Sequence, residues 1–169
     1  MSINSLLNKT DETLALPLSA HHKLKIILQD TLEALNGDRC WLIYPCEVDA
    51  EQYFIPIEQT TVDYPGAKQL KSLEAAYPVF NHIAKEVLAS SSPVDYTLSS
   101  DDCPDISRIY KQFEIQAQLG CIVPSKSKKP WTLGLQHCAN KHDFTKDEKR
   151  LLSSISKKIE PIIEQLLDV

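Results

Sequence analysis

The stretch from Gln116 to Glu148, QAQLGCIVPSKSKKPWTLGLQHCANKHDFTKDE, constrains this chain more than any other. Two apolar segments, Ala117 to Val123 and Trp131 to His137, flank a polar turn of proline, serine and lysine, and a helix-start signal follows at Thr145. The pattern predicts a β-hairpin leading into a long helix. Strands of this kind bury one face against helices and leave the other for a second layer, so the hairpin is expected to floor a small pocket. Thr145-Lys146-Asp147-Glu148 fits a capping box, in which the threonine oxygen and the glutamate carboxylate each accept a backbone N–H. Beyond it, Leu152, Ile159 and Leu166 are seven apart, and Ile155, Ile162 and Val169 form a second such series. Leu152, Ile155, Ile159, Ile162 and Leu166 are therefore expected to form a dimer seam, over about two and a half heptads. Leu151, Ile163 and Leu167 broaden the stripe enough for another face to cover the sheet. Pro161 removes a helical hydrogen bond and is expected to bend the helix between Lys157 and Pro161.

Upstream, residues 1–18 show no clear period and are expected to form an arm, with residues 19–169 as one domain. Leu24, Ile27, Leu28, Leu32 and Leu35 recur at helical spacing after a Ser19 cap, and Asn36-Gly37 supplies a left-handed stop. Arg39 to Tyr44 reads as a buried strand halted by Pro45. Gln52 to Thr61 reads as a second strand, which Pro56 confines to a sheet edge or a bulge. Val62 to Leu73, with the turn signature Tyr64-Pro65-Gly66, is expected to cross the surface. Pro78 to Ser90 predicts a helix with Val79, Phe80, Ile83, Ala84, Val87 and Leu88 on one stripe. Val94 to Thr97 suits a short strand. Ile106, Ile109, Tyr110 and Phe113 then mark one face of a short helix, a candidate pocket lid.

Bulk properties exclude several functions. With 169 residues the chain can bury a core without disulfides or metals. Eighteen basic against 23 acidic residues give a net charge of −5, with lysines scattered rather than gathered on one face, so no nucleic-acid partner is expected. No apolar run approaches a membrane span and the N-terminus has no secretory pattern, so the chain is expected to be cytoplasmic, without a membrane partner. Five cysteines at irregular spacing, with no CxxC, suit reduced thiols.

The candidate ligand-binding residues are His137, Trp131, Tyr110, Phe113 and Cys121. His137 is open to two readings, a ligand contact or a strand-end histidine bonded to the backbone. The aromatic set Trp41, Tyr44, Tyr110, Phe113 and Trp131 suits a core, and rings of this kind also line pockets. Gln136, His137 and Cys138 alternate faces along a strand, so adjacent donors do not converge on a metal. There is no glycine-rich phosphate loop, GxSxG, HExxH or paired-carboxylate word, and no catalytic residue is assigned.

Four words in order carry a resemblance: DRCWLIYPCE at 38–47, VDYPGA at 62–67, PVF…VLASSSPV at 78–94 and KPWTLGLQHC…DFTKDEKRLL at 129–152. Together they resemble a GAF domain, of the kind that sits ahead of bacterial histidine kinases or diguanylate cyclases. The resemblance covers the chain from about Ser19 onward, the size of one domain. It implies an α+β fold, with a central antiparallel sheet, first and last helices on one face and a small pocket on the other. It also implies a non-catalytic sensory or regulatory role, a homodimer, and a kinase or cyclase output domain in cis or trans. Gln136-His137-Cys138 is similar to a word of phytochrome-related members whose histidine faces a bilin, which carries that role to His137. The cysteine-histidine pair that anchors a bilin in many of them falls at Asp105-Ile106, which does not match, and Cys103 lies two places earlier. Covalent bilin is therefore not expected, and the expected cofactor is none. Two alternatives remain: a structural dimerisation module whose pocket its own side chains fill, and a methionine sulfoxide reductase-like thiol enzyme using Cys103, Cys121 or Cys138. Cys121 on a strand has no evident basic neighbour to activate it.

Overall fold

The computed structural model describes residues 2–67, 73–97, 104–126 and 128–167. The strands are β1 (Arg39–Tyr44), β2 (Phe54–Thr60), β3 (Val94–Thr97), β4 (Ala117–Val123) and β5 (Trp131–His137). They form one antiparallel sheet in the order β2-β1-β5-β4-β3. Helices α1 (Ile3–Ala15), α2 (Ala20–Ala34) and α5 (Lys146–Ile163) cover one face; α3 (Tyr77–Ala89) and α4 (Pro104–Gln112) lie over the other.

Period-two alternation sorts the strand residues between these layers. Cys40, Leu42, Ala117, Leu119, Cys121, Val123, Trp131, Leu133 and Leu135 join Leu24, Leu28, Leu152, Ile155 and Ile159 in the larger core. Trp41, Ile43 and Ile55 join Val79, Phe80, Ile83, Ile109, Tyr110 and Phe113 in the smaller one. Every residue of β5 is buried, as expected of a strand covered on both sides. Strand β2 is an edge, and its register with β1 shifts between Leu42 and Tyr44. This irregularity at Pro56 sends Ile57 to the larger core and Ile55 to the smaller, although the two are spaced to share a face.

Local signals account for the helix ends. Ser19 Oγ accepts the His22 N–H, and Thr145 and Glu148 complete the capping box that opens α5. At the end of α2, Asn36 rather than Gly37 takes the left-handed conformation, at φ 48°. The Gly37 N–H reaches the Leu32 carbonyl at 2.9 Å and the Asn36 N–H the Glu33 carbonyl at 3.2 Å, a Schellman stop.

Two expectations are corrected by packing. The segment expected as an arm contains α1, which buries Leu6, Thr10 and Thr13. Its Lys9 meets Asp30 of α2 at 2.6 Å, and its Asp11 meets Lys158 of α5 at 2.5 Å. The dimer seam turns inward: Leu152, Ile155 and Ile159 are wholly buried in the chain's own core, Leu166 is buried there too, and Ile162 packs partly against it. A seven-residue stripe of this length serves equally to cover a sheet or to meet a second helix, and here the sheet occupies it. Pro161 lies inside α5, which passes into a 3-10 turn at Glu164.

Glycines at 134 and 120 face α3 across the smaller core. A methyl group at Gly134 would run into the Trp41 ring, whereas one at Gly120 would meet Ile83 and Val87 at an ordinary 3.5 Å. Gly134→Ala is expected to cost about 1–3 kcal/mol in urea denaturation, and Gly120→Ala distinctly less. Ile159→Ala is expected to cost about 2–5 kcal/mol, with a midpoint independent of protein concentration, as befits a core residue rather than an interface.

Candidate functional site

Across the α3/α4 face of the sheet, cross-strand partners form two rows. In one, Trp41 of β1 pairs with Gly134 of β5 and Gly134 with Gly120 of β4. The absent side chains leave a trough in which the indole lies across the sheet. In the next row, Arg39 pairs with Gln136 and Gln136 with Gln118. All three are buried and joined by hydrogen bonds.

The direction of those bonds follows from Arg39, which has donors only. Arg39 Nη1 donates to Gln136 Oε1 at 3.2 Å, so the amide nitrogen of Gln136 faces Gln118 and donates to its Oε1 at 2.5 Å. Gln118 Nε2 then donates to the Tyr110 hydroxyl at 2.9 Å. Tyr110 Oη receives that bond. Burial holds the Tyr110 phenol far above its usual value, so it stays protonated.

Arg39 also ties down the rim. Its Nε donates to the Tyr64 and Pro65 carbonyls, each at 3.1 Å, and Nη1 donates to the Phe113 carbonyl at 2.8 Å. Beside it lies a cavity of about 20 Å³ lined by Arg39, Glu58 and Gln136 and by apolar groups that include Trp41, Ile55, Phe80 and Phe113. This volume accepts one water molecule. Glu58 spreads its carboxylate over Gly66 at the rim.

The five ligand-binding candidates are not brought together. Tyr110 and Phe113 belong to the α3/α4 side, while Trp131 and Cys121 point into the larger core. His137 follows their parity. It stacks on His142 with ring centres 4.0 Å apart and planes 9° apart, and meets Phe144 edge-on at 5.5 Å. Adjacent strand residues face opposite ways, so Gln136 reaches the cavity row and His137 does not. Trp41, Arg39 and Gln118 were not among the candidates. The only sequence signal for Arg39 was a charge opening an otherwise apolar strand, and for Gln118 and Gln136 an amide at matching positions of a hairpin.

His137 Nε2 is buried without a hydrogen-bond partner among the described residues. Burial, and next the neighbouring His142, hold its pKa below the usual 6.5 against the pull of Asp38 and Glu148. His142 Nε2 lies 2.9 Å from Glu148 Oε1. Burial raises the pKa of Glu148, but hydrogen bonds from the Thr145 N–H and His142 outweigh it and leave the carboxyl below its usual value. Stacked parallel rings do not converge on one ion, and no metal-holding cluster exists among the described residues.

The thiols are shielded. Burial pushes Cys121 up to about 12 although the nearby Ser156 hydroxyl lowers it, and pushes Cys138 up to about 12 although Arg39 lowers it. Cys40 is raised further still by burial. Thiolate chemistry needs the opposite surroundings. Cys103 lies outside the described residues. So do the side chains of Asp105 and Ile106, where the anchor comparison falls. No helix among the described residues is long and apolar enough to cross a membrane.

No family model matches the chain, and no curated protein matches it. Solved structures do. A phycocyanobilin-bound GAF domain from a cyanobacterial phytochrome is similar at 12% identity and a TM-score of 0.72, over 98% of this chain and 95% of that one. The GAF domain of a phosphoenolpyruvate-protein phosphotransferase from Coxiella burnetii is similar at 16% identity and 0.70, over 98% and 95%. An N-acylhomoserine lactone-dependent LuxR-family transcription factor from Burkholderia cenocepacia is similar at 13% identity and 0.73, over 99% and 98%. The chain thus has the α+β fold of GAF domains.

These structures correct the expectation of no cofactor. The same fold holds a bilin in a protein similar over nearly the whole chain, so a bilin belongs among the groups this fold can carry. The fit here is divided. Arg39 offers a cation to a bilin carboxylate and the rings of Trp41, Phe80 and Phe113 offer apolar contact, whereas the water-sized cavity requires its walls to move outward first. The histidine carried over as the bilin-facing residue, His137, stands on the opposite face of the sheet.

Between pH 7 and 5 the unfolded chain takes up protons on its histidines while folded His137 resists. Its contribution to stability is present above about 6.5 and is lost as the pH falls below that value. The urea midpoint is expected to drop from about pH 7.5 to about 5.5, and to drop less in His137→Phe.

Proposed function

We propose that this chain is a non-catalytic sensory or regulatory module that takes a small molecule between the sheet and α3/α4. The observation that carries this reading is the polar row of Arg39, Gln136 and Gln118 set in an otherwise apolar layer, with its first two members reaching a cavity. Convergent polar groups within aromatic walls are what a small-molecule site requires. Similar solved structures support it, one bound to phycocyanobilin and one named as dependent on an acylhomoserine lactone.

The cavity has room for one water and no more, so a larger ligand enters only by displacing Phe80, Phe113 or the helices that carry them. Ligand binding and rearrangement of α3 and α4 are then one event, which supplies the difference in affinity between two states that signalling needs. The response passes to a partner subunit or to an output domain such as a histidine kinase or diguanylate cyclase. A homodimer in this reading uses the outward surfaces of α1, α2 and α5, because the apolar stripe of α5 is internal.

Native mass spectrometry of freshly purified protein, before and after incubation with biliverdin or phycocyanobilin, tests the reading. The expected result is a retained small molecule, or a bilin adduct with visible absorbance, that Trp41→Ala weakens at least tenfold. If neither the purified protein nor the incubated one holds any ligand, a structural role replaces the sensory one.

A further inference from the structure

Arg39 is a buried cation, 3% exposed, whose hydrogen bonds all go to neutral acceptors: the Tyr64, Pro65 and Phe113 carbonyls and the Gln136 amide. Among the described residues no carboxylate lies within ion-pair distance of it. Buried arginines are normally paired with an anion, since dipoles compensate a full charge less well. This guanidinium lines the cavity, and three of its four acceptors belong to the two segments that close the rim, 64–65 and the end of α4.

We infer that the ligand of this pocket carries a carboxylate that seats on Arg39 by displacing those backbone carbonyls, with an apolar body lying over Trp41 and Phe80. The inference rests on the sensory reading and names the ligand class for the same pocket. A carboxylate matches the planar fork of arginine with two parallel bonds and adds the attraction between two full opposite charges, which the carbonyl dipoles lack, and so outcompetes the carbonyls. Glu58 lines the same cavity and adds a like charge, which opposes a phosphate dianion more strongly than a singly charged carboxylate. The exchange has a structural consequence. Helix α4 is tied to the sheet twice through Arg39, directly at the Phe113 carbonyl and indirectly through Gln136, Gln118 and the Tyr110 hydroxyl. Drawing the guanidinium onto a ligand releases the first tie and removes the donor that orients the second. Arg39 is thus a latch, and the carboxylate opens it.

Matched pairs test this on the full chain: 3-phenylpropionate against 3-phenylpropionamide, and hexanoate against hexanamide, by calorimetry with hydrogen exchange read at residues 113–115. Each carboxylate is expected to bind at least about tenfold more tightly than its amide, and to speed exchange at the Ile115 N–H, which bonds the Tyr110 carbonyl at 2.7 Å. Arg39→Lys, which keeps the charge and loses the fork, is expected to cut the preference for acid over amide about tenfold. Equal affinity for acid and amide overturns the inference and leaves the sensory reading standing. A carboxylate preference that survives in Arg39→Lys overturns it too. Binding of neither member, together with no retained ligand in native mass spectrometry, removes both.

Discussion

A buried guanidinium that can only donate sets the order of everything around it. Arg39 opens β1, and because it has no lone pair to offer, each neighbour must turn an oxygen toward it. Gln136 does so and thereby presents its nitrogen to Gln118, which presents its own to Tyr110. Four residues on three strands and a helix thus share one direction of hydrogen bonding. The same group reaches the carbonyls at 64, 65 and 113, so the loop after β2 and the end of α4 are located by one side chain. Each member of the row thus constrains the next, and together they hold the loop after β2 and the end of α4 in one arrangement within an otherwise apolar layer.

The neighbouring row works by omission. Gly134 and Gly120 leave the middle of the sheet bare, and the space goes to the indole of Trp41 and to Ile83 and Val87 of α3. One face of the sheet is therefore built from large side chains packed against three helices. The other is built from a trough, a polar row and two shorter helices. The second arrangement leaves a small cavity at the end of the polar row. The thiols of Cys40 and Cys121 lie on the face covered by α1, α2 and α5, across the sheet from the cavity.

Much of the architecture was legible from local pattern. The hairpin, the capping box at Thr145, the stop at Asn36-Gly37 and the edge strand marked by Pro56 all depend on residues within a few positions of one another. The site was legible only in part. His137 stood out as a lone histidine in a suggestive word, yet the residue beside it, Gln136, faces the cavity. Choosing between them requires knowing which parity of β5 faces α3, and a strand buried on both sides carries no alternation to say so. The irregularity at Pro56 likewise separates Ile55 from Ile57, which two-residue spacing alone would place together.

The chain's own pattern of apolar spacing, caps and turn residues determined the elements from α2 onward, their order and the hairpin-to-helix unit at its end, because those choices are made over one or two turns of backbone. Only the tertiary structure decided which face each strand residue serves, that the seven-residue stripe of α5 is a lining rather than an interface, and that Arg39, Gln136, Gln118 and Tyr110 meet. Those four lie up to 97 positions apart, and no local rule acts across that distance; the sheet register brings them into contact.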